Sequence, residues 1–213
     1  SYVGKTKDAL TIENDSLDDE AFREFLVVAF VNAFNVLKPG AAFYIWHADS
    51  EGFNFRGAIH DCGELVRQCL IWNKNSMVMG RQDYHWKHEP CLYGWKNGAS
   101  HRWYADRSQT TVLDFARPSR SEIHPTMKPA ALIAYQIGNS TKQRDLVFDP
   151  FLGSGTTIIA AQQLGRRCFG LELAPRFCDN IVDRFQRFTG TPAILERTGD
   201  SPIPMGQREE AMK

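Results

Sequence analysis

Between residues 17 and 37 the apolar positions follow helical spacing, with Phe22, Phe25, Leu26, Ala29, Phe30, Ala33 and Phe34 on one face. The pattern predicts a helix over Leu17–Leu37, with Ser16 as N-cap, Asp18, Asp19 and Glu20 at its positive end, and Lys38-Pro39-Gly40 as the stop. The period then changes. Ala41 to Trp46 is an unbroken apolar run and reads as a buried strand, and Phe53 to Cys62 returns to helical spacing before Gly63. Two more strands are predicted at Leu65–Trp72 and Pro90–Trp95, separated by a polar, aromatic loop that holds Met77, Arg81, Tyr84, His85 and Trp86.

Residues 96–123 keep no period and are rich in Arg, Ser and aromatics, which predicts a long ordered loop or small insertion. Pro129–Asn139 reads as a helix, Leu146–Phe148 as a strand, Gly153–Gly155 as a turn, Thr156–Leu164 as a helix and Cys168–Leu173 as a strand. Pro175–Phe188 reads as a helix with proline in its first turn. This alternation is that of an α/β domain with an open, mostly parallel sheet, expected over residues 1–189, followed by a polar tail at 190–213.

Charge refines the picture only when resolved along the chain. The 25 basic and 25 acidic side chains cancel over 213 residues. Yet residues 1–73 carry 6 basic and 11 acidic groups, residues 74–128 carry 9 and 5, and residues 129–213 carry 10 and 9. The middle is therefore the basic part, as a nucleic-acid contact requires. The five cysteines, Cys62, Cys69, Cys91, Cys168 and Cys178, form no C-x-x-C pair and read as reduced core residues of a cytoplasmic protein. No run reaches the roughly 20 apolar residues of a membrane span, and no metal site is expected from the spacing of the histidines.

The sharpest chemistry lies at Val147-Phe148-Asp149-Pro150-Phe151-Leu152-Gly153-Ser154-Gly155-Thr156-Thr157, a strand that runs through Gly-x-Gly directly into a helix. Glycines let a ligand approach the backbone, and the amides at a helix start attract polar or anionic groups. Glu172 ends the next strand, where a carboxylate can accept from both ribose hydroxyls of an adenosine. The third glycine of a dinucleotide site and the lysine of a P-loop are both lacking. The same residues would also suit a tight turn with a solvated glutamate. Upstream, His124-Pro125-Thr126-Met127-Lys128-Pro129 is a rigid loop entering a helix.

His-Pro-Thr-Met-Lys-Pro, followed by Asp-Pro-Phe-Leu-Gly-Ser-Gly-Thr-Thr and Leu-Gly-Arg-Arg-Cys-Phe-Gly-Leu-Glu, resembles the permuted β-class DNA amino-methyltransferases, phage- or prophage-type members above all, which modify adenine N6 or cytosine N4. Leu37 to Trp46 and His88 to Trp95 are similar to strand segments of that family. The resemblance covers about residues 1–188. It implies a Rossmann-like methyltransferase fold and an S-adenosylmethionine site. Phe151, Gly153, Ser154 and Gly155 would line the methionine portion, Thr156 the helix start, Glu172 the ribose, and Thr126 with Lys128 the amino-acid end. Asp149 would frame the pocket and Leu173 flank the adenine. The implied activity is methyl transfer to an exocyclic amino group of double-stranded DNA, adenine N6 favoured.

The family's catalytic motif, a polar residue before Pro-Pro-Tyr or Pro-Pro-Phe, is not in the sequence; by resemblance it would stand just before Ser1. That motif accepts hydrogen bonds from an otherwise poorly nucleophilic amino nitrogen and stacks on the flipped base. The expectation is therefore a truncated, catalytically impaired chain missing one central strand, with the gap filled by a preceding segment or by a partner copy in a homodimer. The alternative is an inactive methylase-like domain that binds DNA or a partner. DNA contacts are expected from Arg81, Lys96, Arg102, Arg107, Arg117 and Arg120, with residues 96–123 as the target-recognition segment.

Overall fold

A computed structural model describes residues 18–117 and 127–196, together with the backbone of 203–204. Helix α1 spans Asp19–Val36, and its N-cap is Asp18, whose carboxylate accepts from the Ala21 amide at 2.9 Å. Ser16 lies outside the described residues. Strand β1 is Ala42–Trp46, α2 is Gly52–Asp61, β2 is Val66–Val78 and β3 is Trp86–Trp95. Next come β4 at Val112–Asp114, α3 at Ala130–Ser140, β5 at Leu146–Asp149, α4 at Thr156–Gln163, β6 at Arg167–Gly170 and α5 at Pro175–Thr189. Two short strands, β7 at Ile194–Leu195 and β8 at Ile203–Pro204, pair antiparallel in the segment expected to be a polar tail.

The chain divides into two units, one made of residues 18–70 and 89–101, the other of 71–88 and 102 onward. In the first, Leu26, Phe30 and Phe34 of α1 pack with Phe43, Ala58, Ile59 and Leu92 in one apolar cluster. The rings of Phe34 and Phe43 meet edge-on at 5.1 Å. Each such side chain, fully buried, contributes about 1.5–3 kcal/mol. In the second, Leu132, Ile133 and Ile137 of α3, Ile159 and Ala160 of α4, and Phe177 and Ile181 of α5 are among the buried apolar residues.

The mostly parallel sheet expected from the sequence is not what forms. The four-stranded sheet runs β1-β3-β2-β4. β1 pairs with β3 antiparallel, Phe43 opposite Gly94 and Ile45 opposite Leu92, and only β2 with β4 is parallel. β2 and β3 are joined by Met79–His85 alone, too short for the dozen or more residues of a parallel crossover, so they form a hairpin. The physical reason is that most of the stretch assigned to a polar loop is strand. β2 continues to Val78 and β3 begins at Trp86. The α2 crossover still leaves β1 and β2 running the same way, but β3 occupies the slot between them and reverses the pairing. β5 and β6 form a separate parallel pair, Leu146 opposite Arg167 and Asp149 opposite Gly170.

Candidate cofactor site

The second unit places the carboxyl ends of β5 and β6 side by side, and the turn after β5 is built around two carboxylates. Asp149 Oδ1 accepts from the Phe151 amide at 3.0 Å, and its Oδ2 from the Thr157 hydroxyl at 2.5 Å. Glu172 Oε2 accepts from the Gly153 amide at 2.8 Å, and its Oε1 from the Ala174 amide at 3.0 Å. Glu172 thus staples the turn before α4 to the turn before α5. Each oxygen has spent one lone pair on an amide and keeps another, so a vicinal diol can still donate to both.

Gly153 and Gly155 adopt positive φ, 55° and 74°. A Cβ on Gly155 would lie 2.9 Å from Ile181 Cγ2, so this position needs glycine for both backbone and space. Gly155 is also the N-cap of α4, and no side chain caps that helix. Its first amides therefore face the turn as donors for a polar ligand group. Phe151 and Leu173, both well exposed, flank the ends of the two strands as apolar surfaces for a flat ring. An accepting carboxylate for a diol, donor amides at an uncapped helix start and two apolar flanks are features that suit an adenosine-bearing, zwitterionic cofactor.

Ser154 and Thr156 are buried, their hydroxyl oxygens 3.1 Å apart, and Thr156 donates to the carbonyl of Lys128 at 3.4 Å. The structure therefore brings Asp149, Phe151, Gly153, Ser154, Gly155, Thr156, Glu172 and Leu173 to one end of the β5–β6 pair, and Lys128 to the turn through its backbone. Thr126 lies outside the described residues. Two residues at this site escaped sequence reasoning: Thr157, which closes the Asp149 staple, and Arg184 of α5, which donates to the Ser154 carbonyl at 2.8 Å. The signal for Arg184 was its place in the α5 stripe of Phe177 and Ile181. Burial and the nearby Asp149 push the Cys168 thiol up to about 12, which favours the protonated thiol.

The expected DNA contacts separate. Arg81 is exposed between β2 and β3, and Arg102, Arg107 and Arg117 are exposed on the segment around β4. That segment is tied down through other atoms. Asp106 accepts from the Ser108 amide and hydroxyl and from Gln109, and the Tyr104 amide donates to the Asn139 carbonyl at 2.7 Å. The Arg117 amide donates to Asn75 Oδ1 at 2.8 Å. Lys96 behaves differently: its Nζ donates to the carbonyls of Phe34 at 2.6 Å and Leu37 at 2.9 Å, closing the C-terminus of α1. Arg120 lies outside the described residues. Among the described residues no cluster of His, Cys, Asp or Glu could hold a metal ion, and no helix is long and apolar enough to cross a membrane.

The chain is similar to known proteins. The chain is 28% identical over 156 residues to the type II methyltransferase M2.DpnII of Streptococcus pneumoniae, covering 66% of this chain and 58% of that protein. It is 23% identical over 212 residues to the type II methyltransferase M.HpaI of Haemophilus parainfluenzae, covering 89% of this chain and 68% of the relative. The match thus spans little more than half of M2.DpnII. Among solved structures, the M1.HpyAVI–SAM complex superposes with a TM-score of 0.69 at 25% identity, covering 79% of this chain and 85% of the other. The family of DNA methylases matches residues 5–183, a span that contains the stapled glycine turn and both of its carboxylates, and the chain belongs to that family.

Proposed function

We propose that the chain is the cofactor- and DNA-binding part of an S-adenosylmethionine-dependent DNA amino-methyltransferase of the permuted class, adenine N6 being favoured over cytosine N4. The observation that carries this reading is Glu172, held by two backbone amides at the ends of β5 and β6 with a lone pair left on each oxygen. The permuted order is supported by sequence position, since the glycine turn follows the basic segment rather than preceding it.

When bound, S-adenosylmethionine supplies an electrophilic methyl group on a sulfonium centre. Glu172 accepts from the ribose hydroxyls, Leu173 and Phe151 flank the adenine and methionine portions, and the amides at the start of α4, with Lys128 and Thr126, receive the amino-acid end. Asp149 keeps the turn closed while the ligand enters and leaves. Exposed Arg81, Arg102, Arg107 and Arg117, with Arg120, bind phosphates of double-stranded DNA, whereas Lys96 serves α1. The free thiols fit a reducing, cytoplasmic setting. The sequence contains no Pro-Pro-Tyr or Pro-Pro-Phe, so this chain alone binds its ligands and transfers methyl groups hardly at all.

Calorimetric titration with S-adenosylmethionine and with NAD tests the cofactor. Binding of the first and not the second is expected, and the reverse overturns the reading. Transfer of labelled methyl groups to unmethylated duplex DNA, followed by nucleoside digestion, separates N6-methyladenine from N4-methylcytosine. Full turnover by the isolated chain would refute the proposed impairment.

A further inference from the structure

α5 presents Phe177 and Ile181 to the core of the second unit, and the same helical stripe continues at Arg184. An apolar side chain would be the ordinary occupant. Arg184 is half-buried there, and burial pulls its pKa below the usual guanidinium value, a penalty its hydrogen bonds must offset. Nη1 donates to the Ser154 carbonyl at 2.8 Å and to Thr156 Oγ1 at 3.2 Å. The Thr156 hydroxyl in turn donates to the Lys128 carbonyl. One guanidinium thereby joins α5, the glycine turn and the loop that precedes α3.

The Ser154 carbonyl and the Gly155 amide belong to one peptide group. The amide donates to the Leu152 carbonyl at 2.9 Å while Arg184 holds the oxygen, so the peptide is fixed at both ends. With Gly155, at positive φ, on one side of it, this peptide has little steric resistance of its own to flipping. We propose that Arg184 is a positioning residue that locks the Ser154–Gly155 peptide and the Thr156 side chain in the shape that receives the cofactor. The role rests on the cofactor reading above, and Arg184 stands just past residue 183, where the family match ends.

The test uses the full 213-residue chain with Arg184→Met and Arg184→Lys. Calorimetric titration with S-adenosylmethionine is expected to show affinity about tenfold weaker for the Met variant, the scale of losing one hydrogen bond from a charged donor. The Lys variant, which keeps a charged donor, recovers part of it. Amide exchange without cofactor should quicken at Gly153 and Gly155 and stay unchanged in α3. Wild-type affinity in the Met variant overturns the proposal, as does faster exchange spread evenly over the second unit, the mark of a merely structural role. If the unmodified chain takes up no cofactor, the cofactor reading fails, and the exchange experiment alone decides the lock: a local rise supports it and no local rise overturns it.

Discussion

At the glycine turn the carboxylates of Asp149 and Glu172 are each shared between two donors of the protein itself, whereas around β4 the backbone is tied down and the guanidinium groups of Arg102, Arg107 and Arg117 are left in solvent. Both regions are ordered, but by opposite use of charge. In the turn, charge is consumed locally to fix the backbone, so a ligand meets amides and lone pairs already aimed. In the arginine segment, neutral and acidic groups such as Asn75, Asp106 and Gln109 do the fixing and the guanidinium groups stay exposed. Substitutions in the first region should therefore register mainly in stability and shape. Those in the second should register in binding and its salt dependence.

Ranked by expected effect on stability, the most damaging change is Gly155→Val. It forces a β-branched residue to a φ of 74° with its Cβ 2.9 Å from Ile181. Strain and overpacking together should lower stability by about 3 kcal/mol, read as an earlier urea midpoint. An unchanged midpoint would mean the turn is not held as described. Glu172→Gln comes next at about 1–2 kcal/mol, because its amide group must turn a donor toward either the Gly153 or the Ala174 amide. Weaker cofactor binding should accompany it, and a variant equal to wild type in both respects would dissolve the staple.

Lys96→Met removes the ammonium that closes α1 and should cost about 1 kcal/mol in thermal unfolding while leaving the salt dependence of DNA binding untouched. A reduced salt slope would return Lys96 to the DNA-contact set. His47 stacks on Phe55 at 5.1 Å, and burial holds its pKa below 6.5. The unfolded chain therefore takes up the proton first: stability from neutral His47 is complete above pH 6.5 and lost as pH falls from there through the lower folded value. His47→Phe should flatten urea midpoints measured between about pH 7 and 5. If its pH profile overlays that of wild type, His47 is not the group responsible. The smallest stability change, within about 0.5 kcal/mol, belongs to the combined Arg102→Glu, Arg107→Glu and Arg117→Glu variant. That protein should nevertheless lose at least about 3 from the log–log salt slope of DNA affinity. Retained binding with an unaltered slope would remove the contrast between the two regions.

What the sequence discloses follows the range of the interactions involved. The helical stripe of Leu26, Phe30 and Phe34, the strand–glycine–helix run at 147–157 and the placement of Glu172 are local patterns, so they can be read directly. The outer half of β2 is not: Asn73, Lys74, Asn75 and Ser76 show no apolar alternation, and the strand persists because β3 lies beside it. Missing that pairing is what made the sheet look mostly parallel. The N-cap expected at Ser16 falls instead at Asp18 for another reason, since Asp15, Ser16, Asp18 and Asp19 are all capable residues and only geometry selects Asp18. Lys96 and Arg184 were the hardest to assign. Their acceptors lie 59 to 62 and 28 to 30 residues away, so a basic side chain in a basic segment, or on a helix, looks the same whether it is free or committed.

Lys96 is held by its main chain as well, accepting from the Gly40 amide and donating to the Ala41 carbonyl, each at 2.9 Å. The first unit is thus clamped at the residue where the segment 96–123 begins, while within the second unit the Arg117 amide is anchored on Asn75. The Phe-rich core of the first unit is therefore supported up to Lys96 by contacts of its own, and a change in the length of the chain that follows is expected to leave the stability of that core unaltered.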